Sequence, residues 1–293
     1  MAKVLVTGGA GMIGRRLVRA LEVAGHEGVS YDLAYGDDVM HLIQLVHDMN
    51  GCDAVFHLAA HYVTTTTFYA EPDEVLRVGI EGTANVLRAA KLMRVKDFVY
   101  ASSAEVYGEP LTVPTPETEP LKVADPLNPR FSYAISKIAG EGMVLNSKGF
   151  RKVQVFRPHN VFGSESKPGH VIPDFISQSR NGGIVIRGTG FETRAFCHVD
   201  DIVTGILTMW QRGEGGIYHI GNDTETNMMR LAVLIQGHGA ECRPDLLAPG
   251  SPKRRCPDIS KMRSLGWAPQ IGLEDGIRQL LEQPPPLPSR WSG

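Results

Sequence analysis

Short apolar runs rich in β-branched residues alternate with longer mixed stretches through the first half of the chain. Residues 3–6 form one such run, glycines follow at once, and residues 15–24 carry the spacing of a helix. Residues 28–32 predict a second strand, 40–50 a helix, and 54–60 a buried strand running into small residues. Residues 74–93 predict one long helix, 97–101 a strand, 132–148 a helix and 153–156 a strand, with a Pro-rich irregular connection over 110–129. Strand alternating with helix predicts an α/β fold built on a Rossmann-type, doubly wound parallel sheet.

Beyond residue 157 the pattern weakens. Helices over 172–180 and 201–211 and short strands over 184–186, 196–199 and 217–220 are expected of a smaller C-terminal α/β domain lying over the sheet edge. The expected division is a first domain over 1–156, a second over 157–283 that is partly interleaved with it, and a Pro-rich tail over 284–293.

The 42% hydrophobic content of the 293 residues suffices for a core of this size, and a net charge of −2 offers no footprint for nucleic acid or an anionic membrane surface. No apolar run approaches the roughly 18–20 residues of a membrane span. Four scattered cysteines without Cys-x-x-Cys spacing and the absence of a signal peptide predict a reducing cytoplasmic setting and no metal site.

The first chemistry-bearing stretch is Gly8-x-x-Gly11-x-x-Gly14, which encloses Met12 and Ile13 between a strand and a helix. Gly8 suits a tight turn, Gly11 admits backbone N–H groups to a pyrophosphate, and Gly14 lets the helix pack close to the strand. Asp32 stands near the end of the next strand, about 20 residues on, where a carboxylate binds a ribose 2′-hydroxyl and repels a 2′-phosphate. NAD is therefore expected over NADP. Ligands in such sheets bind at the carboxyl ends of the strands, where the glycine loop, Ala59, Ala60 and the 102–105 segment all fall.

Tyr133 and Lys137 lie four apart and share one helix face. An ammonium and a cationic nicotinamide both favour the phenolate, so Tyr133 is expected to act as a base on a substrate hydroxyl, with Ser103 bonding the same oxygen.

The chain resembles an extended short-chain dehydrogenase/reductase of the nucleotide-sugar epimerase/dehydratase family. The blocks carrying the resemblance are 7–14, Asp38-Val39, 57–60, 82–85, 102–108, 133–137, 157–163, 194–201 and 254–259. The resemblance implies that 1–156 is the NAD-binding domain, that 157–283 is a smaller C-terminal substrate-binding α/β domain, and that Ser103, Glu105, Tyr133 and Lys137 have catalytic roles. It places Asp38 and Val39 by the adenine, Leu58, Ala59, Ala60 and Ala101 along the cofactor, Lys137 on the nicotinamide ribose and Pro158 near the carboxamide. It gives Asn160 to the sugar diphosphate, and Arg194 with Arg254 or Arg255 to phosphates or sugar. The chain departs from the family pattern at 79–83, at Ala195 and at 248–251.

Relatives share a first step, oxidation at the sugar C4, and then diverge. The expected activity is that of a UDP-sugar 4-epimerase; the alternative is a UDP-glucuronate-type decarboxylase or a sugar-nucleotide dehydratase using Glu105. The segment 102–108 with Arg130-x-x-Tyr133 and residues 254–259 resembles the uronate decarboxylases, and Ala104 stands where dTDP-glucose-type dehydratases carry an acid. A non-catalytic NAD-binding protein would have lost Ser103, Tyr133 or Lys137, and a net reductase is disfavoured by Asp32. The resemblance further implies a homodimer through the helices over 74–93 and 132–148. The loops over 64–69, 164–170 and 222–229 are expected to shape the sugar pocket.

Overall fold

The opening apolar run, Lys3–Thr7 (β1), is buried from its second residue on and passes through the glycines into the helix Met12–Val23 (α1). The computed structural model describes residues 1–61, 67–123, 125–166 and 168–282, so the Pro-rich tail and part of the 64–69 loop lie outside the described residues. Glu27–Tyr31 (β2), Ala54–His57 (β3), Asp97–Ala101 (β4), Lys152–Pro158 (β5) and Gly216–Ile220 (β6) join β1 in one sheet of order β6-β5-β4-β3-β1-β2. Every neighbouring pair is parallel.

The pleat sends alternate residues to two separate cores. Val4, Val6, Phe56, Val99 and Phe156 meet Leu17 and Leu21 of α1 on one face. Leu5, Val55, Phe98 and Val155 meet the other face's helices, through Leu45 of Leu42–Asp48 (α2), Val86 of Thr83–Leu92 and Val144 of Ser132–Leu145. A strand covered on both sides needs an unbroken apolar run, which is why these strands read as such in the sequence. Each fully buried Val, Leu or Phe contributes roughly 1.5–3 kcal/mol.

Three elements differ from expectation. Residues 216–220 complete the large sheet instead of belonging to the smaller lobe, and Val199–Arg212 packs Ile202, Ile206 and Met209 on the same face as α1. The strand–helix alternation therefore continues past residue 157, with 161–198 as an insertion between β5 and that helix. The long helix expected over 74–93 is Pro72–Arg77 (α3), a π turn at Val78–Gly82 and Thr83–Leu92 (α4). Gly79 and Gly82 press it against its neighbours: a Cβ at Gly79 would lie 2.6 Å from the Ser136 Cβ on Ser132–Leu145 (α5).

The smaller lobe has its own core, around Phe162, Ile172, Phe175, Phe196, Leu231 and Ile277. Three two-residue strands, Thr226–Asn227, Thr193–Arg194 and Arg254–Arg255, form its principal sheet. The Pro-rich 110–129 connection is irregular except for a bridge from Thr115 to Pro257, where Thr115 N donates to the Cys256 carbonyl at 2.8 Å. This bridge fixes the segment that carries Arg255. Among the described residues no helix is long and apolar enough to cross a membrane, and no cluster has metal-binding composition.

Candidate active site

The glycine turn sets the first wall of the site. Gly8 has φ +72°, and a Cβ on it would lie 2.8 Å from Ala59 N; a Cβ on Gly14 would strike the Gly8 carbonyl at 2.1 Å. Gly11 caps α1 with extended backbone and no side-chain cap, which leaves the helix N-terminal N–H groups facing the turn. Asp32 stands beside them, its two carboxylate oxygens accepting from Ala10 N at 3.0 Å and Ala34 N at 2.9 Å. Asp38 accepts from Met40 N, and Asn85 donates to the carbonyls of Val39 and Met40 at 3.2 Å, holding the loop after β2 in place.

A buried relay fixes the end of β3. Ala59 N donates to Thr7 Oγ1 at 3.2 Å, the Thr7 hydroxyl meets His57 Nδ1 at 2.7 Å, and His57 Nε2 meets Thr83 Oγ1 at 3.0 Å. Burial, with Lys137 adding repulsion, pushes His57 down to about 3, so the ring is neutral and serves as a strut. Leu58, Ala59 and Ala60 are thereby held across from the glycine turn.

Between these walls and the smaller lobe opens a cavity of ≈ 470 Å³. Met12, Ile13, Leu58 and Ala60, from α1 and the segment after β3, line it together with Ser103, Glu105, Tyr133, Pro158 and Asn160. Ser103 caps the turn Ala104–Tyr107, accepting from Glu105 N at 3.1 Å, and its hydroxyl is also hydrogen-bonded to Tyr133. Lys137 lies behind the wall, donating to the Ala101 carbonyl at 2.7 Å with its ammonium 5.6 Å from the Tyr133 ring centroid.

In the protein alone, burial pushes the Tyr133 phenol up to about 12, against the Ser103 hydrogen bond that lowers it. Burial likewise brings Lys137 down to about 8, with Glu141 opposing.

Glu105 meets the opposite balance. Burial raises its pKa, but the adjoining Arg255, with which it forms a close ion pair, and Arg130, at 4.0 Å, bring it down to about 2. Arg194 adds a third cation, itself lowered to about 10 by burial and by Arg255. Asn160 takes φ +39°, uncommon for a residue with a Cβ, and donates to the Ala195 carbonyl at 3.2 Å.

Arg254 does not join this group. It is exposed and forked onto Glu225, because its two-residue strand sends alternate side chains to opposite faces and only Arg255 turns inward. Arg130, His61 and His170 line the cavity without having been assigned roles. Arg130 was legible from its position one helical turn before Tyr133, and His61 from adjoining Ala60, where it pairs with Glu71 at 2.7 Å.

The glycine cradle, the open helix N-terminus and the Asp32 carboxylate together fit a dinucleotide carrying a free ribose 2′-hydroxyl. Residues 4–221 match the NAD dependent epimerase/dehydratase family. The chain belongs to that family. It is an NAD-dependent enzyme of the nucleotide-sugar epimerase, dehydratase and decarboxylase class.

Among its relatives, UDP-glucuronic acid decarboxylase 1 of Xenopus tropicalis is 31% identical over 305 residues, covering 95% of this chain and 71% of that protein. The dTDP-D-glucose 4,6-dehydratase of Bos taurus is 31% identical over 318 residues, 96% of this chain and 88% of that one. A UDP-glucose 4-epimerase of Thermotoga maritima, solved with UDP-glucose, superposes with a TM-score of 0.85 at 26% identity, covering 96% of this chain and 97% of that one. The sequence relatives thus favour decarboxylation or dehydration over the 4-epimerase activity ranked first from the sequence.

Proposed function

We propose that the protein decarboxylates a nucleotide-linked hexuronic acid, with UDP-glucuronate as the leading candidate, through a 4-keto intermediate. The observation that carries this reading is Glu105, held ionised between Arg255 and Arg130 beside Ser103 and Tyr133. Dehydration needs a proton for the departing hydroxyl. An ionised Glu105 could give one only after taking the C5 proton itself, and the adjacent position, where a separate acid would stand, is Ala104, which is buried and apolar. Decarboxylation has no such requirement, since the C5–C6 bond pair flows into the C4 ketone as CO2 departs.

In this reading Tyr133 takes the C4 hydroxyl proton, with Ser103 sharing the oxygen and Lys137 holding the nearby ribose. NAD+, when bound, would supply the hydride acceptor at C4 and, once a solvent proton has replaced the carboxylate at C5, the hydride that restores it, so no net redox would appear. Arg255, Arg130 and Arg194 outnumber Glu105 by two charges, a surplus that suits a diphosphate and a sugar carboxylate and then the enolate left after CO2 departs. Asn160, on the cavity wall, is assigned to the diphosphate.

The test is release of labelled CO2 from carboxyl-labelled UDP-glucuronate with NAD+ present. Configurational inversion of a UDP-hexose without CO2 release would return the reading to a 4-epimerase. The homodimer is also proposed, through α3–α4 and α5, which leave Leu76, Ile80, Ile135 and Ile138 half-buried on the single chain.

A further inference from the structure

The oxidation assigned to Tyr133 and Lys137 rests on a second, wholly enclosed group of charges. Glu141 follows Lys137 by one helical turn and Tyr133 by two, on the same face of α5. Its carboxylate accepts Arg157 Nε at 2.8 Å and Nη2 at 2.6 Å, and both side chains are 3% exposed or less. The Ser102 hydroxyl donates to the same carboxylate, next to Ser103 and to the Ala101 carbonyl that holds Lys137. Arg157 also donates to Tyr107 Oη and to the Glu117 carbonyl at 3.0 Å, and Pro158 follows it directly on the cavity wall. Tyr107 in turn meets His219, whose Nδ1 pairs with the Asp258 carbonyl at 3.1 Å. One ion pair thus touches the ends of β4 and β5, the helix bearing Tyr133 and the turn bearing Glu105.

We infer that Glu141 is a positioning residue for the oxidation step: its bidentate pair with Arg157 sets Ser103, Lys137 and Pro158 against one another, and its carboxylate is the negative charge that the buried Lys137 ammonium faces. The other groups around that ammonium cannot replace it. On β4 the Tyr100 ring lies 5.0 Å away and its phenol is held protonated by burial. On β3 His57 is neutral. Tyr133 shares the helix and is protonated in the protein alone. Arg157 on β5 is a cation whose field Glu141 cancels.

Lys137 sits near 8 because burial lowers it and Glu141 opposes that fall. A depressed Lys loses its charge as pH rises through its folded pKa, so the alkaline limb of kcat reports it. Glu141→Gln removes the opposing charge and leaves Arg157 uncancelled. The alkaline limb is expected to move towards neutrality by about one pH unit, with turnover lowered at every pH by the weakened Arg157 pair and about tenfold further just above the limb. Glu141→Asp keeps the charge and is expected to leave the limb in place. The double variant Glu141→Gln, Arg157→Gln removes both charges, places the limb between the two, and stands in if the single Gln variant fails to fold.

This inference rests on the assignment of Tyr133 and Lys137 but not on the identity of the sugar. The pH profiles are therefore run with UDP-glucuronate and with UDP-glucose on the NAD+-loaded enzyme, with Tyr133→Phe as control. Turnover of UDP-glucose alone displaces the decarboxylase reading and leaves the limb measurable; turnover by Tyr133→Phe displaces the base. A limb that stays in place in the Gln variants, whether kcat is unchanged or falls equally at every pH, overturns the role of Glu141.

Discussion

Replacing Glu105 by Gln removes one negative charge from a corner that holds three arginines. Arg255 is 6% exposed and loses its close carboxylate partner, keeping a contact to the Gly108 carbonyl at 3.4 Å. The size of the effect follows from titration: a carboxyl brought from 4.5 to about 2 in the folded state is linked to about 3 kcal/mol of folding free energy. The folded pKa is depressed, so this contribution is fully present above pH 4.5 and is lost as pH falls towards 2. At roughly 2.1 cal/mol/K of unfolding entropy per residue over the 293 residues, the variant's midpoint should fall by about 5 °C at pH 7. Thermal unfolding of the sugar-free protein, followed by fluorescence at pH 7 and at lower pH, reads this directly. The gap between wild type and variant should narrow as pH approaches 3, because only the wild type titrates at this position. Equal midpoints at pH 7 would show that the Glu105–Arg255 pair carries no net stabilisation, and would remove the ground for treating Glu105 as permanently ionised.

Three further outcomes are expected. Tyr133→Phe should abolish turnover while calorimetric NAD+ binding persists; full activity would remove the assigned base. Gly14→Ala puts a methyl 2.1 Å from the Gly8 carbonyl, so the turn must shift, and NAD+ affinity should fall at least tenfold by calorimetry; unchanged affinity would contradict the cradle. Light scattering at micromolar concentration should give twice the mass of the chain, and a monomer would refute the pairing through α3–α4 and α5.

The nucleotide half of the fold was legible because each of its elements carries a local signature. β3 and β4 are buried on both faces and read as unbroken apolar runs, and the Gly8–Gly14 spacing is a demand of backbone geometry that glycine alone meets. What lay hidden depends on contacts distant in sequence. The strand 216–220 is an ordinary short apolar run, and only its pairing with residues 154–158 makes it part of the large sheet. The π turn at 78–82 arises from helix packing at Gly79, which a periodicity cannot express. In the site, Ser103, Glu105 and Tyr133 line one cavity, with Lys137 behind its wall. The choice between Arg254 and Arg255 needed the face of a two-residue strand, and Arg157–Glu141 pairs residues 16 apart whose burial no local pattern declares.

The central claim is that this site, after oxidising C4, breaks a carbon–carbon bond. Mass spectrometry of the protein incubated with NAD+ and a panel of UDP-, GDP- and dTDP-sugars that includes UDP-glucuronate tests it most directly. The account predicts a product from UDP-glucuronate lighter by the mass of CO2. A product of unchanged mass and new retention, or one lighter by the mass of water, would contradict it.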